Sequence, residues 1–404
     1  MKVAVIGGGA AGFFSSLSIK AHFPDSEVSI FEKSSKVLAK VKISGGGRCN
    51  VTHACFDNNL LSRHYPRGGR FLQKLFYQFD AKSTVDWFKH RDILLKTYPD
   101  GCMFPQSNNS QTIIDAFVHE AIQKNVHIMT NSPVREIEKI NERFRLKVND
   151  EILEFDRVVI TTGGQPKKGG LSWLEDLGLD IVDPVPSLFT FNMPNESVTS
   201  LMGNVVNDVT VRIEGEKLLG KGPLLITHWG MSGPAILELS AWGARMLHEK
   251  NYQFHVLVNW LNEMKEMELI EVFEVIKIKH SNKKIANINP FPITNKIWCY
   301  LIEKSGIQPD AKWSEFSGKL KNKLINNLLN DRYAVSGKTT FKEEFVTAGG
   351  VALHEINPQT MESKKVKGLF FAGEILDIDG VTGGFNFQAA WTTAFVAGKH
   401  INRC

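Results

Sequence analysis

The first thirty-two residues constrain this chain more than any other stretch. Lys2-Val3-Ala4-Val5-Ile6 is a short β-branched apolar run, as expected of a strand buried on both faces. Gly7-Gly8-Gly9-Ala10-Ala11-Gly12 follows directly, and from Ala10 to Phe23 small and apolar residues recur at helical spacing. Val28-Ser29-Ile30-Phe31 predicts a second strand, and Glu32 stands at its end. Strand, glycine turn, helix, strand and acid together make a dinucleotide-binding βαβ unit. Gly7 permits the tight turn, Gly9 lets the backbone approach a pyrophosphate, and Gly12 lets the helix pack closely on the strand. The helix N-terminus offers unpaired N–H groups and a partial positive charge to the phosphates. Glu32, twenty residues after Gly12, is placed to accept hydrogen bonds from a ribose diol. Glycine turns also arise for packing alone, but here strand, helix and acid all agree on a ligand.

A chain of 404 residues has room for two or three domains and a large core. Its 43% hydrophobic and 23% charged content is ordinary for a soluble globular protein. No apolar run reaches the roughly 18 residues of a membrane span. The first strand begins at the N-terminus, which leaves no room for a signal peptide, so a cytoplasmic location is expected. The net charge of +5 is small for this size and could suit an anionic cofactor or a nucleic acid, but lysines scattered on solvated faces are the preferred reading. Five cysteines, odd in number and without a CxxC, suggest reduced thiols rather than a disulfide framework or a zinc site. The twelve histidines show no metal-binding spacing, and His53, His64 and His354 are expected to be surface or core-satisfied.

After Glu32 comes Ile43-Ser44-Gly45-Gly46-Gly47-Arg48-Cys49-Asn50-Val51-Thr52, a glycine loop able to wrap an anion or the edge of a flat ring. Arg48 can meet a phosphate bidentately and Asn50 can bond a heteroaromatic edge. Residues 71–125 read as helices around a turn-rich loop, Tyr98–Pro105. Short strands follow at His127–Thr130, Val134–Ile140, Phe144–Val148 and Ile152–Phe155. Arg157–Ile160 is a buried strand ending in Thr161-Thr162-Gly163-Gly164. Residues 186–340 read as a separate unit, β-rich to 260 and then helical and lysine-rich to 333. Nucleotide-domain character returns with Phe345–Val351, Gly368–Glu374 and Gly380–Gln388, the last opening a small-residue helix. In a flavin site that helix end could face the ring's N1–C2=O edge. The expected architecture is therefore α/β, with a discontinuous nucleotide domain (1–185 and 334–404) flanking an insertion.

GGGAAG with Glu32, SGGGRCNVT at 44–52, THWGMSGP at 227–234, TAGGV at 347–351 and GLFFAGEILDIDGVTGGFN at 368–386 together resemble the YhiN/BaiN-like flavoproteins. The resemblance runs essentially end to end. It implies a Rossmann-like FAD-binding domain, an inserted β-barrel-like domain and a small helical domain. Members of that family are FAD-binding oxidoreductases, some aminoacetone oxidase-like and one a bile-acid enone reductase. By resemblance Gly7, Gly9, Gly12 and Glu32 hold the ADP half of FAD, and Ser44, Gly46, Arg48 and Asn50 lie along its pyrophosphate and flavin. Gly163, Gly373, Glu374, Gly383, Gly384 and Asn386 complete the site, with Ala10, Ala11, Lys33, Lys42, Gly47, Val134, Thr162 and Phe385 also expected at the cofactor. Many members carry Tyr where this chain has Phe385, so a tyrosine proton donor is ruled out at that position.

The leading functional expectation is a flavin oxidoreductase passing hydride between FAD N5 and a small organic substrate of amine, ketone or enone type. No second glycine fingerprint for a nicotinamide domain and no vicinal redox cysteines are evident. NAD(P)H as a transient donor and oxygen as acceptor therefore both stay open, as do oligomeric state and direction. A tRNA-modifying flavoprotein of the glucose-inhibited-division type ranks second, because no basic and aromatic cluster stands out as an RNA reader. A non-catalytic flavin-binding protein ranks third. Neither a nucleic-acid nor a membrane partner is expected. The insertion, tethered at both ends, is expected to form the wall of a cleft over the flavin, with His228 as a candidate proton donor or acceptor. The alternative for His228 is a structural hydrogen bond in a glycine-shaped turn.

Overall fold

The computed structural model describes residues 1–402 apart from Pro166, Glu263 and residues 340–345. Phe345, the first residue of one expected strand, and Cys404 therefore lie outside the described residues. The chain divides into two compact units, Met1–Ser187 with Lys342–Cys404, and Leu188–Phe341.

The first unit is built on a five-stranded parallel sheet. Its order is Leu369–Phe371, Arg157–Ile160, Lys2–Ile6, Glu27–Phe31, Val126–Met129. The continuous apolar runs in the sequence become central strands covered on both faces: Val3, Ala4, Val5, Val158, Val159, Ile160, Leu369, Phe370 and Phe371 are all fully buried. Ile6 pairs with Phe31 on one side and Ile160 on the other, and Ile160 with Phe371. The carboxyl ends of the strands thus align, where open α/β sheets bind ligands. Helix Ala10–His22 packs on the long C-terminal helix Phe385–His400, with the Ser18 hydroxyl donating to the Phe395 carbonyl at 2.9 Å. Small residues along both helices let them approach closely. Phe14, Trp87, Phe117 and Trp391 fill the space beneath as a cluster of stacked and edge-on rings.

Outside the sheet, Val134–Ile140, Arg143–Val148 and Glu151–Phe155 form an antiparallel meander. The Tyr98–Pro105 segment, read from sequence as a loop, is half strand. Cys102–Pro105 pairs with Leu95–Thr97 and with Thr52–His53, and only Tyr98–Gly101 turns. Its turn residues were legible, but the short strand depends on pairing with residues some fifty positions earlier.

The second unit holds an antiparallel sheet. Its order is Asp331–Ser336, Gln253–Asn259, Val205–Ile213, Leu219–Ile226, Gly230–Ser232, Thr190–Asn192, Lys338–Thr339. Among the described residues the two outer strands do not pair with each other. Helix Pro234–Glu249 covers the sheet, and Glu266–His280, Asn295–Lys304 and Gly318–Leu329 follow. Sheet and helices share one core: Val211, Val256 and Tyr333 belong to the same apolar cluster as Phe273, Trp298, Trp313 and Leu324. At its centre the fully buried Asp331 accepts from Trp260 Nε1 at 3.0 Å and from Lys304 Nζ at 2.6 Å.

Candidate functional site

The glycine turn after the first strand has the geometry its sequence called for. Gly9 stands just before helix Ala10–His22 in extended backbone, and no side chain caps that helix. Its first-turn N–H groups are available to a ligand. A β-carbon on Gly9 would meet nothing within 4 Å, whereas one on Gly12 would sit 1.9 Å from the Gly7 carbonyl oxygen. The first glycine therefore borders open space and the second a backbone contact. Glu32 lies beside the turn, with Oε2 accepting from Gly8 N at 2.8 Å and Oε1 from Ser34 N at 2.9 Å and Ser34 Oγ at 2.8 Å. These bonds fix the carboxylate and leave acceptor capacity on Oε2. The Thr161 hydroxyl reaches the Ile6 and Gly7 carbonyls at 2.9 Å and ties strand end to turn. The neighbouring Thr162 hydroxyl is buried without a hydrogen-bond partner among the described residues, as is that of Thr347. An uncapped helix start beside an open glycine is what a nucleotide pyrophosphate would complete. Glu32→Ala should weaken FAD retention about ten- to hundredfold, the worth of a charge-assisted hydrogen bond. A titration of apoprotein with FAD checks it, and an unchanged dissociation constant would leave Glu32 a scaffold residue.

The SGGGRCN segment is not the free loop its glycines suggested. A helix begins at Ala39 and breaks at Ser44, where ψ swings to 145°, and Gly45, Gly46 and Gly47 follow at φ of 57°, 68° and 83°. A β-carbon at Gly46 would meet nothing within 4 Å, so this turn too borders open space. Arg48 is held flat: its Nε donates to the Gly45 carbonyl at 3.1 Å and its guanidinium lies 4.2 Å from the Phe104 ring centre. Asn50 joins the two glycine segments. In the amide orientation its neighbours favour, it donates to the Thr52 and Met103 carbonyls and accepts from Gly384 N at 3.2 Å. Burial pushes the Cys49 thiol up to about 12 and the Cys102 thiol up to about 11, so neither is a thiolate at neutral pH.

The second glycine turn, Gly380–Gly384, delivers the chain into helix Phe385–His400, which again has no side-chain cap. Gly384 has a φ of 94° and lies against the Thr52 backbone. Two of the expected cofactor residues have structural partners of their own. Asn386 clasps Gly380 through both backbone atoms, accepting at 2.8 Å and donating at 2.9 Å. Glu374 accepts from Thr347 N at 2.9 Å and pairs with Lys40 at 2.7 Å. Of the others, Lys33 is exposed, Lys42 donates to Gln111 at 2.8 Å, and Val134 opens the meander.

Sequence reading missed two features of this loop. His53 and His64 both stack on Phe385, at 4.6 and 4.3 Å between ring centres, and His53 Nδ1 lies 3.1 Å from the Gly383 carbonyl. Burial, then the nearby His53, lowers the His64 pKa and favours its neutral form. Asp379, fully buried, takes both Arg67 Nε and Nη2 and accepts from the Ser187 hydroxyl at 2.7 Å. The paired acids of ILDIDG were the available signal for it. His228 occupies the exposed turn between Leu219–Ile226 and Gly230–Ser232, 4.2 Å from the Trp229 ring centre.

The chain matches the HI0933-like protein Rossmann domain over residues 1–400. It is 25% identical to a 3-dehydro-bile acid delta(4,6)-reductase of Clostridium scindens, over 98% of each chain. A ribosomal RNA dihydrouridine synthase of Escherichia coli is 27% identical, over 98% of this chain and 97% of that one. Among solved structures, the 3-ketosteroid delta1-dehydrogenase of Sterolibacterium denitrificans superposes with a TM-score of 0.53 at 12% identity, covering 99% of this chain and 98% of that one, a likeness of fold. Among the described residues no helix is long and apolar enough to cross a membrane. The chain belongs to the HI0933-like family, and by that membership it is an FAD-dependent oxidoreductase with a Rossmann-like FAD-binding domain.

Proposed function

We propose that this protein reduces a carbon–carbon double bond conjugated to a carbonyl group, adding hydride to the β-carbon and a proton to the α-carbon. The observation that carries this reading is what two relatives of similar identity share. One is named for reduction of a steroid dienone and the other for making dihydrouridine, and both products arise by saturating a bond conjugated to a carbonyl. When bound, FAD supplies the hydride through N5 of its ring. The chain's own residues do the rest. Glu32 and the Gly7–Gly12 turn would hold the adenosine and pyrophosphate. Arg48, fixed on Phe104, would bring positive charge that favours the reduced, anionic ring. The uncapped start of helix Phe385–His400 would offer its N–H groups to the same negative charge. We assign the proton to His228, an exposed imidazole able to carry and release one. NAD(P)H is the proposed source of the two electrons, because a reductase must be recharged after each turnover.

Of the two substrate classes, we favour a uracil ring in folded RNA. This reverses the ranking drawn from sequence, where RNA came second. It rests on the slightly higher identity to the ribosomal RNA enzyme, 27% against 25% for the bile-acid reductase. The test is anaerobic incubation of the reduced protein with unmodified ribosomal RNA, digestion to nucleosides and mass analysis. A two-hydrogen gain in uridine is expected. Saturation of a 3-oxo-4,6-diene steroid with RNA untouched would place the substrate among small enones, and neither product would sink the reading. His228→Asn should lower the single-turnover rate about hundredfold or more with FAD content intact. A wild-type rate would remove His228 from the chemistry.

A further inference from the structure

The positive charge of this chain is not scattered. Residues 277–323 hold ten lysines against Glu303, Asp310 and Glu315, a net of +7, so the remainder of the chain is net −2 within the total of +5. The fold draws many of these lysines together. The turn after helix Glu266–His280 runs beside residues 311–314, with Ile285 N donating to Ala311 O at 2.9 Å, Trp313 N to Lys283 O at 3.1 Å and Ser314 N to Ser281 O at 2.8 Å. Lys284 and Lys312 face each other across this antiparallel bridge. Helix Gly318–Leu329 starts four residues after Ser314, and its Lys321 reaches Glu274 on helix Glu266–His280 at 2.8 Å. Lys319 and Lys323, one turn apart, share a face of that helix.

The lysines of this clip are not consumed internally. Lys279, Lys283, Lys284, Lys319 and Lys323 are exposed and make no ion pair among the described residues, in contrast to Lys304, which holds the buried Asp331. Gathering unneutralised ammonium groups costs self-repulsion, and a polyanion removes that cost by releasing its own counterions. Point charges on flexible stems suit a sugar–phosphate backbone, which repeats one negative charge at short intervals, and no base-specific recognition is needed of them. The first half of helix Glu266–His280 carries exposed Glu266, Glu268, Glu271 and Glu274, so this basic area is bounded rather than spread along a broad face as an anionic membrane would require.

We propose that the clip formed by residues 279–284 with Lys312, Lys319 and Lys323 is the surface that docks the phosphate backbone of an RNA substrate. The inference rests on the RNA reading above and adds to it where the RNA is gripped.

The experiment compares the wild-type holoprotein with Lys283→Glu/Lys284→Glu/Lys319→Glu. Binding of in vitro transcribed ribosomal RNA is measured between about 50 and 200 mM salt, where each phosphate contact contributes roughly 0.9 to the log–log slope. The variant should bind at least about tenfold more weakly with a slope reduced by about 2 to 3. Its reduction of cyclohexenone by NAD(P)H should stay at the wild-type rate. Unchanged affinity and slope in the variant would overturn the docking surface while leaving the RNA reading in place. Absence of RNA binding by the wild type would overturn both. Loss of cyclohexenone turnover in the variant would also overturn the proposal, because the lysines would then be supporting the fold. Weaker binding to phosphatidylserine vesicles with RNA affinity unchanged would reassign the clip to a membrane.

Discussion

Alanine at Gly9 is expected to leave the fold intact and strip it of FAD, whereas alanine at Gly12 is expected to damage the nucleotide unit itself. The two glycines stand three residues apart in one motif, yet their surroundings differ. Gly9 has φ −90° and ψ −167°, which alanine adopts readily, and its added methyl would enter open space beside the start of helix Ala10–His22. Nothing in the protein resists the change. A phosphate approaching those N–H groups does, so FAD affinity should fall about hundredfold, or roughly 2.7 kcal/mol, at an unchanged melting temperature. At Gly12 the methyl would lie 1.9 Å from the Gly7 carbonyl oxygen and 2.9 Å from Thr161 Oγ1. A backbone oxygen cannot rotate aside, so the helix must shift off the first strand. A cost of about 3 kcal/mol or more follows, at the upper end of overpacking. Melting temperature and the ratio of flavin to protein absorbance separate the cases. Wild-type FAD affinity in Gly9→Ala would show that no phosphate approaches there, and a wild-type melting temperature in Gly12→Ala would contradict the close packing of helix on strand.

That contrast also shows how much was legible in sequence. Local signals carried the sheet, because a strand buried on both faces has to be a continuous apolar run, and Lys2–Ile6, Arg157–Ile160 and Leu369–Phe371 all are. The first glycine turn was legible for the same reason, since its parts lie within thirty-two residues. What remained hidden depends on pairing across long separations. Nothing near Asn50 says that its amide meets Gly384 N, over three hundred positions later. Nothing near His53 or His64 says that both stack on Phe385. Arg48 read as a free phosphate ligand because its aromatic support, Phe104, belongs to a hairpin whose residues looked like a loop. The basic clip escaped for a different reason. Its lysines are ordinary one by one, and only the bridge between 281–285 and 311–314 gathers them.

The largest loss of stability is expected from Arg67→Met. Asp379 is 0% exposed and sits immediately before the Gly380–Gly384 turn, bonded to Arg67 and Ser187. Burial holds its carboxyl above the usual carboxylate range, with the Arg67 guanidinium and the Ser187 hydroxyl acting against that rise. Removing the guanidinium leaves a buried carboxylate with one neutral donor, a situation that typically costs about 3–5 kcal/mol. The variant should relieve this by keeping Asp379 protonated, which sets the sign of the pH dependence. A group whose folded pKa lies above its unfolded value of about 3.9 contributes stability below that value and loses it as pH rises through the folded pKa. The gap in melting temperature between variant and wild type should therefore be small near pH 4, widen as pH rises, and level off once Asp379 is ionised in the folded state. A gap that narrows toward high pH would contradict this assignment. Adding Asp379→Asn to the variant removes the titrating group, so the pH dependence should flatten and part of the lost stability return. FAD retention supplies an independent readout, because Asp379 immediately precedes the Gly380–Gly384 turn. If the double variant regains stability but still releases FAD, Arg67 and Asp379 shape the flavin turn as well as the core.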